Sequence, residues 1–405
     1  MKINSYPRNI SEVVSNNMCT GCGLCVESGA GMKIDKMGFL RPINPIEDEV
    51  SQACPSIKIS RHQDILVKNS HSIWGGVYSS FTAASASEEV RFRGSSGGVI
   101  STLLKCLLDT NQVDRVIATS VSDSSKIENK TTNITEGSNV IDSAGSRYSP
   151  SSPLDFVRGD LNGSDRLAIV CKPCDASALR ELKTKFPKFG DRIVVIISFF
   201  CAGIPSKLGS KEILEKYGVH EGELELFRYR GNGWPGDLTF ETKEGSQYQM
   251  SYRESWGKVL NKYIQPRCKI CADGIGDNAD IVCADAWDTS EDGYPIIDSV
   301  DIESKGLSLV IVRTSEGKAV IDKAEINNVL INKKNFELNS LKKIQPYQYD
   351  RKKNALCRIL ALKILGQKVT NFSGFFLFKN MIKSGVYQCI RSFSGTLVRK
   401  LKGRF

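Results

Sequence analysis

Three cysteines spaced two residues apart, Cys19, Cys22 and Cys25 in CTGCGLC, are followed by Cys54 before a proline. This is a pattern in which thiolates hold iron. A tight loop of this spacing aims three sulfurs at one cubane. Gly21 and Gly23 permit the unusual dihedrals of such a loop and bring backbone N–H groups towards the sulfurs, where they help set the potential. Only one such run exists, and no Cys-x-x-Cys surrounds Cys54, so all four are assigned to a single [4Fe–4S] centre. A structural zinc site is the alternative that the same residue type offers.

A second group is scattered. Cys171 and Cys174 stand in CKPCDASALR, where a strand should end and a helix start. Cys201 follows the apolar run of ISFFCAG, and Cys268 and Cys271 form a Cys-x-x-Cys in PRCKICADG. Strand ends and such loops are natural places for ligands to converge. Four of these five would serve a second cluster, with Cys174, Cys201, Cys268 and Cys271 the preferred set. On spacing alone, a zinc site or unrelated cysteines stay open. Cys106, Cys283, Cys357 and Cys389 lie in apolar segments and read as buried small hydrophobes.

The segment RFRGSSGGVISTLLKCLL puts Gly94, Ser95, Ser96, Gly97 and Gly98 directly before an amphipathic helix. Backbone N–H groups and the helix dipole there make an anion site suited to phosphate, strengthened by Arg91 and Arg93. The pattern is neither G-x-G-x-x-G nor a P-loop. Alone it reads as a plain helix start; beside iron–sulfur cysteines it reads as the seat of a flavin phosphate or pyrophosphate. Trp234, in the turn-rich RYRGNGWPG, is placed to cover an isoalloxazine ring or a substrate, or else is a half-buried turn residue. GSRYSP offers Arg147 and Tyr148 to an anionic ligand. Tyr148 and Asp285 are the candidates for a proton-transferring group, and no acid or base is assigned. The three histidines, His62, His71 and His220, lie in no motif, and no G-x-S-x-G is present. Histidine-based and Ser-His-Asp chemistry are therefore not expected.

These residues need elements to position them. Within the 405 residues, 1–70 is rich in Cys, Gly and Pro and too poor in core to fold without a metal centre. A linker is expected around Val67–Gly76. Residues 75–335 alternate apolar strands (Ala168–Val170, Ile193–Phe199, Ile281–Ala284, Leu307–Val312) with helices (Gly98–Leu108, Ala176–Lys185, Lys207–Tyr217), the pattern of an α/β sheet. Ser122–Ser138 reads as a surface loop or weak edge hairpin. Residues 342–405 hold 15 lysines and arginines against one acid, Asp350, so the remainder is net negative and gives no reason to expect nucleic acid. From about Asn354 this tail has helical apolar spacing with interleaved basic residues. It reads either as a helical pair docked on the body with a solvated basic face, or as an attachment to an anionic membrane surface or partner. The 13 cysteines suit a reducing compartment, Met1–Ile10 lacks a secretory apolar stretch, and no run approaches the roughly 18 apolar residues of a membrane span. A cytoplasmic, at most membrane-peripheral, protein is expected.

In order along residues 15–315, CTGCGLC with its later CP, GSSGGV, GSRY, KPCDASALR, FFCAG, RGNGWPG and CKICADGIGDNADIVCADAW resemble the beta subunits of deazaflavin-coenzyme (F420) hydrogenases and dehydrogenases. The resemblance implies FAD beside one or more [4Fe–4S] clusters, passing electrons to or from a reducible substrate. That substrate is the deazaflavin coenzyme in some members and a chlorophyll intermediate in a related plant enzyme. On this resemblance Gly94–Gly98 would meet FAD phosphate, Cys174, Cys201, Cys268 and Cys271 would ligate the second cluster, and Asp285 and Trp287 would lie near the cofactors. The chain departs from the pattern in having one N-terminal cysteine run where many relatives have two. It also carries Cys171 beside Cys174, Cys283 where a small non-ligand is expected, and a basic tail beyond the motifs. Short single-run members are also similar to proteins associated with surface-polysaccharide synthesis, which implies a sugar-linked substrate.

The expected protein is thus α/β (α+β overall): a small ferredoxin-like iron–sulfur domain (1–70), a larger flavin-binding α/β domain (75–335) and a helical basic tail (340–405). Its expected function is that of an iron–sulfur flavoprotein oxidoreductase that exchanges electrons with a ferredoxin-like partner and acts on a small molecule. A non-catalytic electron-transfer subunit and a metal-stapled scaffold are the alternatives.

Overall fold

The almost unbroken apolar run IVVIISF must be covered on both faces, and that places it at the centre of a sheet. A computed structural model of the chain describes residues 5–29, 31–62, 70–288, 296 and 306–403. Eight strands form its main sheet: β1 (Ser79–Ser85), β2 (Arg115–Val121), β3 (Asn129–Ile134), β4 (Leu167–Val170), β5 (Ile193–Phe199), β6 (Ile281–Asp285), β7 (Ser308–Val312) and β8 (Leu330–Asn335). Their spatial order is β8-β1-β7-β6-β5-β4-β2-β3. The central strands β6, β5, β4 and β2 run parallel, with Ile197 opposite Ile281, Ile196 opposite Ile169 and Val116 opposite Ala168. Antiparallel strands flank them on both sides. The segment expected as a loop or edge hairpin supplies β3, which pairs with β2 at the sheet edge.

The principal helices are α1 (Val99–Asp109), α2 (Pro173–Lys185), α3 (Lys207–Lys216), α4 (Ser315–Ile326), α5 (Pro346–Lys353), α6 (Ala355–Ile364) and α7 (Val386–Leu401). Strand alternation sorts them. Val195 and Ile197 face Leu103, Leu107 and Ile321 of α1 and α4, whereas Ile196 faces Leu179 and Leu182 of α2. A three-stranded antiparallel meander, Leu224–Arg228, Leu238–Thr242 and Gln247–Met250, packs with α3 in a separate apolar cluster. The Trp234 loop joins its first two strands.

The ends of the chain close on each other. Lys58–Ser60 pairs in parallel with Asn371–Ser373. Ile10, Met18 and Ile59 share an apolar cluster with Ile359, Leu362 and Phe372, and Cys19, Cys25, Cys54 and Cys271 lie inside it. Of the expected linker, residues up to 69 lie outside the described ones. The rest is no linker: Ile73 and Trp74 are buried, and Trp74 packs on Tyr349. An aromatic residue there had a core to join that only the tail completes.

Candidate functional site

The first cysteine set converges. Cys22 feels the charge of Cys54 and Cys25, Cys25 that of Cys19 and Cys54, and Cys54 that of Cys19. All four thiols are buried, and burial leads the causes that push Cys25 up to about 12 and Cys54 to about 11. Such thiols become thiolates only against a compensating positive centre, of the kind that iron would supply. The Gly21 N–H lies 3.4 Å from Cys19 Sγ, as the glycine spacing predicts.

The second set comes from three separate loops: Cys174 from the start of α2, Cys201 from the end of β5, and Cys268 and Cys271 from the short helix Pro266–Lys269 and the turn after it. Cys201 feels both Cys268 and Cys271, and Cys174 feels Cys201. Cys171, three residues before Cys174, responds instead to Asp175, Lys172 and Asp280, and its backbone is tied to Ile197 and Ser198. Cys283 sits in the core on the opposite face of the sheet, and Cys106 is buried in α1. Cys357 is buried as expected, but Cys389 is only half-buried, because α7 docks shallowly. Among the described residues no three His, Cys, Asp or Glu side chains converge on a single-ion site. Mononuclear zinc brings its sulfurs within about 2.3 Å of one point.

Three buried cations that the sequence reading did not single out lie beside these sets. Arg267 donates to Pro55 O beside Cys54 and feels Cys271, Cys174 and Cys268, so it lies between the two sets. Lys172 feels Cys174 and Cys22 and is held by Asp175 at 2.9 Å. Arg351 of α5 donates to Cys201 O (2.8 Å) and Cys268 O (2.9 Å). The only sequence signal was that Arg267 and Lys172 adjoin cysteine motifs; nothing near Arg351 marks it.

The glycine loop meets two other motifs. Ser146 Oγ lies 2.8 Å from Ser95 Oγ, Ser96 donates to Leu307 O at 2.7 Å, and the Gly97 N–H donates to Ser308 Oγ at 3.0 Å. A Cβ at Gly97 would lie 2.6 Å from Ser308 N, so only glycine lets the loop cross β7 here. Gly98 caps α1 in the left-handed region, at φ 73°. Arg228 Nη1 lies against Gly145 and Gly231, and Gly231 in turn lies against Arg93 O. Arg228 is held below its ordinary pKa by burial and by the neighbouring cations Arg93 and Arg147. Among the described residues, the Nε atoms of Arg93 and Arg228 have no hydrogen-bond partner although buried, and neither has Arg230 Nη2. Arg147 is committed elsewhere: it donates to Asn129 and to the carbonyls of Lys126, Glu128 and Phe227, so it anchors its turn. Tyr148 packs on Trp256 with the rings tilted, 4.8 Å between centroids.

Asp285 forms a 2.8 Å ion pair with Arg230, whose guanidinium lies over Trp234 (5.3 Å), Trp287 (5.3 Å) and Tyr252 (4.7 Å). Trp234 and Trp287 are 4.6 Å apart. This aromatic box adjoins the second cysteine set along two routes. Gln345 donates to Asp285 O while Gln348, in α5, donates to Cys201 O. Trp256 touches Tyr148 and also packs on the Ile204, Ile264 and Cys268 cluster.

Two clustered thiol sets beside a group of buried arginines on a mixed sheet define a redox class of protein. The family described as Coenzyme F420 hydrogenase/dehydrogenase, beta subunit, matches through its N-terminal part over residues 80–157 and its C-terminal part over 164–337. The chain belongs to this family. It is 23% identical over 377 residues to the coenzyme F420-dependent sulfite reductase of Methanocaldococcus jannaschii, covering 87% of this chain and 52% of that protein. It is 24% identical over 233 residues to the beta subunit of the F420-dependent formate dehydrogenase of the same organism, covering 58% and 56%. Against the beta subunit of the coenzyme F420 hydrogenase of Methanothermobacter thermautotrophicus it is 24% identical over 281 residues, covering 67% and 88%. The chain therefore spans about half the length of the first two relatives. A chain in the structure of the F420-reducing [NiFe] hydrogenase complex from Methanosarcina barkeri shares the fold, with a TM-score of 0.54, 19% identity, and coverage of 70% of this chain and 93% of that one.

Proposed function

We propose that this chain is an iron–sulfur flavoprotein oxidoreductase subunit that carries two [4Fe–4S] clusters and FAD, and that it moves electrons between an electron-carrier protein and a small reducible molecule. The observation that carries the reading is the meeting of Cys174, Cys201, Cys268 and Cys271 from separate loops beside the Cys19, Cys22, Cys25 and Cys54 set. A scaffold stapled by one metal has no use for the second set. The ferredoxin-like N-terminal region, the flavin domain and the basic tail are assigned to residues 1–70, 75–335 and 340–405.

FAD, when bound, supplies the exchange between one-electron and two-electron transfer. The chain's own residues bind and orient it. Arg93 and Arg228, with the Ser95, Ser96 and Gly98 N–H groups of the Gly94–Gly98 loop, offer donors to its phosphates, and Arg147 holds the adjoining turn. Trp234 and Trp287 offer the ring an apolar wall, and Arg230 holds Asp285 at its edge. The unpartnered Nε atoms of Arg93 and Arg228 are what a phosphate would satisfy. Replacing Arg228 by Met removes one charge-assisted donor and should weaken flavin retention about tenfold or more with iron unchanged. Flavin and iron counts per chain after gel filtration check this.

Arg267 tunes the clusters. In Arg267→Met the iron count should hold while the cluster potential falls by on the order of tens of millivolts, since a cation that favours the reduced state is gone. A redox titration followed by electron paramagnetic resonance reads the shift.

The whole reading is tested by anaerobic purification with iron, sulfide, zinc and flavin counts. Zinc without iron would sink it, and clusters without flavin would leave a relay subunit. The relatives that are subunits of larger assemblies favour a partner protein in either case. Reduced deazaflavin coenzyme and sugar-linked substrates are then the first compounds to assay.

A further inference from the structure

Helix α7 leaves most of its large apolar side chains in the open. The face it lays on α6 carries Cys389, Ser392, Phe393 and Thr396, of which Thr396 is buried and the others are half-buried. At 100° per residue, Val386, Ile390, Leu401, Tyr387 and Val398 fall within one arc on a different side, together with the exposed Ser394 and the half-buried Leu397. That arc is in the open. Val386 is 77% exposed, Leu401 73%, Tyr387 72% and Ile390 61%. Arg391 and Lys402 border it, and both are exposed. The short helix Leu377–Ile382 that precedes α7 adds Phe378 and Ile382, both about two-thirds exposed.

The charge around this surface has one sign. From Gly374 to Phe405 the sequence has seven lysines and arginines and no acid. A second copy of the same surface would repel it, because an isologous contact sets like charge against like. A protein interface is ordinarily depleted in lysine, and this one is bordered by Lys379, Lys400 and Lys402. A one-helix apolar stripe between basic flanks fits the boundary of an anionic bilayer, where the apolar arc enters the acyl region and the cations meet headgroup phosphates. None of the helices among the described residues is long and apolar enough to cross a membrane. This helix would lie in the surface plane.

We propose that α7, with the short helix before it, docks the protein on an anionic lipid surface. The exposed stripe shares no residue with the cysteine sets or with the arginines around the glycine loop, so this inference stands apart from the redox reading.

The test uses the full chain, purified anaerobically, and co-sedimentation with phosphatidylcholine vesicles with and without about one-third phosphatidylglycerol. The parent should sediment with the anionic vesicles at least about tenfold more than with the neutral ones, and raising salt to about 0.5 M should release it. I390S/L401S should lower binding to anionic vesicles about tenfold, with iron content and circular dichroism unchanged because both residues are exposed. R391E/K402E should do the same by removing the charge. The proposal is overturned if the parent ignores anionic vesicles, binds neutral ones equally, or binds unchanged in both variants. It is also overturned if the parent is vesicle-indifferent and forms a dimer that I390S/L401S dissolves, which assigns the face to a second copy.

Discussion

Cys271→Ser should leave the anaerobically purified chain with about four iron and four sulfide atoms where the parent carries about eight of each. The reason is geometric. Cys271 is buried in the apolar cluster that also holds Cys19, Cys25 and Cys54, yet its electrostatic partners are Cys201 and Arg267. Removing it should empty one centre and spare the other. Cys171→Ala is the matched control: its thiol faces Asp175, Lys172 and Asp280, and its loss should leave iron and sulfide unchanged. Unchanged iron in Cys271→Ser, or iron loss in Cys171→Ala, would reassign the second set.

Asp277→Asn should destabilise the protein by about 3–5 kcal/mol, the cost of breaking a buried ion network on one side. Asp277 is fully buried, with Arg61 Nη2 at 2.8 Å, Lys352 Nζ at 2.7 Å and Arg313 Nη2 at 3.6 Å. Arg61 belongs to the N-terminal region, Arg313 to the segment after β7 and Lys352 to α5, so one carboxylate ties together three parts of the chain that the sequence keeps far apart. Against the cost of burial, these three cations hold its pKa below the ordinary range. A depressed native pKa means that its stabilisation is complete above the unfolded value of about 3.9 and shrinks as the pH falls below it. The parent should therefore lose stability on acidification below about pH 4 more steeply than Asp277→Asn. Urea unfolding at neutral pH and down the acid limb measures both effects, and equal midpoints at neutral pH would remove the network from the account.

Much of the framework is legible in the sequence alone. The run Ile193–Phe199 can only be an internal strand, and it is β5 residue for residue. The spacing of Leu103, Leu104 and Leu107 sets α1, and the glycines before it set where it starts. The first cysteine set is a local matter, because spacing within one loop determines where three sulfurs point. The concentration of positive charge in the tail is equally a property of the sequence and needs no coordinates.

Only the tertiary structure chose between Cys171 and Cys174 as a neighbour of Cys201, because that choice turns on which way successive residues face at the end of β4 and the start of α2. The same holds for Arg228, Arg230, Arg267 and Arg351. Each is an ordinary arginine in the sequence, and each gains meaning from what lies across a loop or another segment. The tail is the clearest case. Its apolar spacing is the same whether the stripe faces inward or outward, and the sequence left both readings open. The fold lays one face of the Ala355–Phe375 part over the first cysteine set and leaves most of the α7 stripe in the open, because α7 meets α6 through another side, where Thr396 is buried.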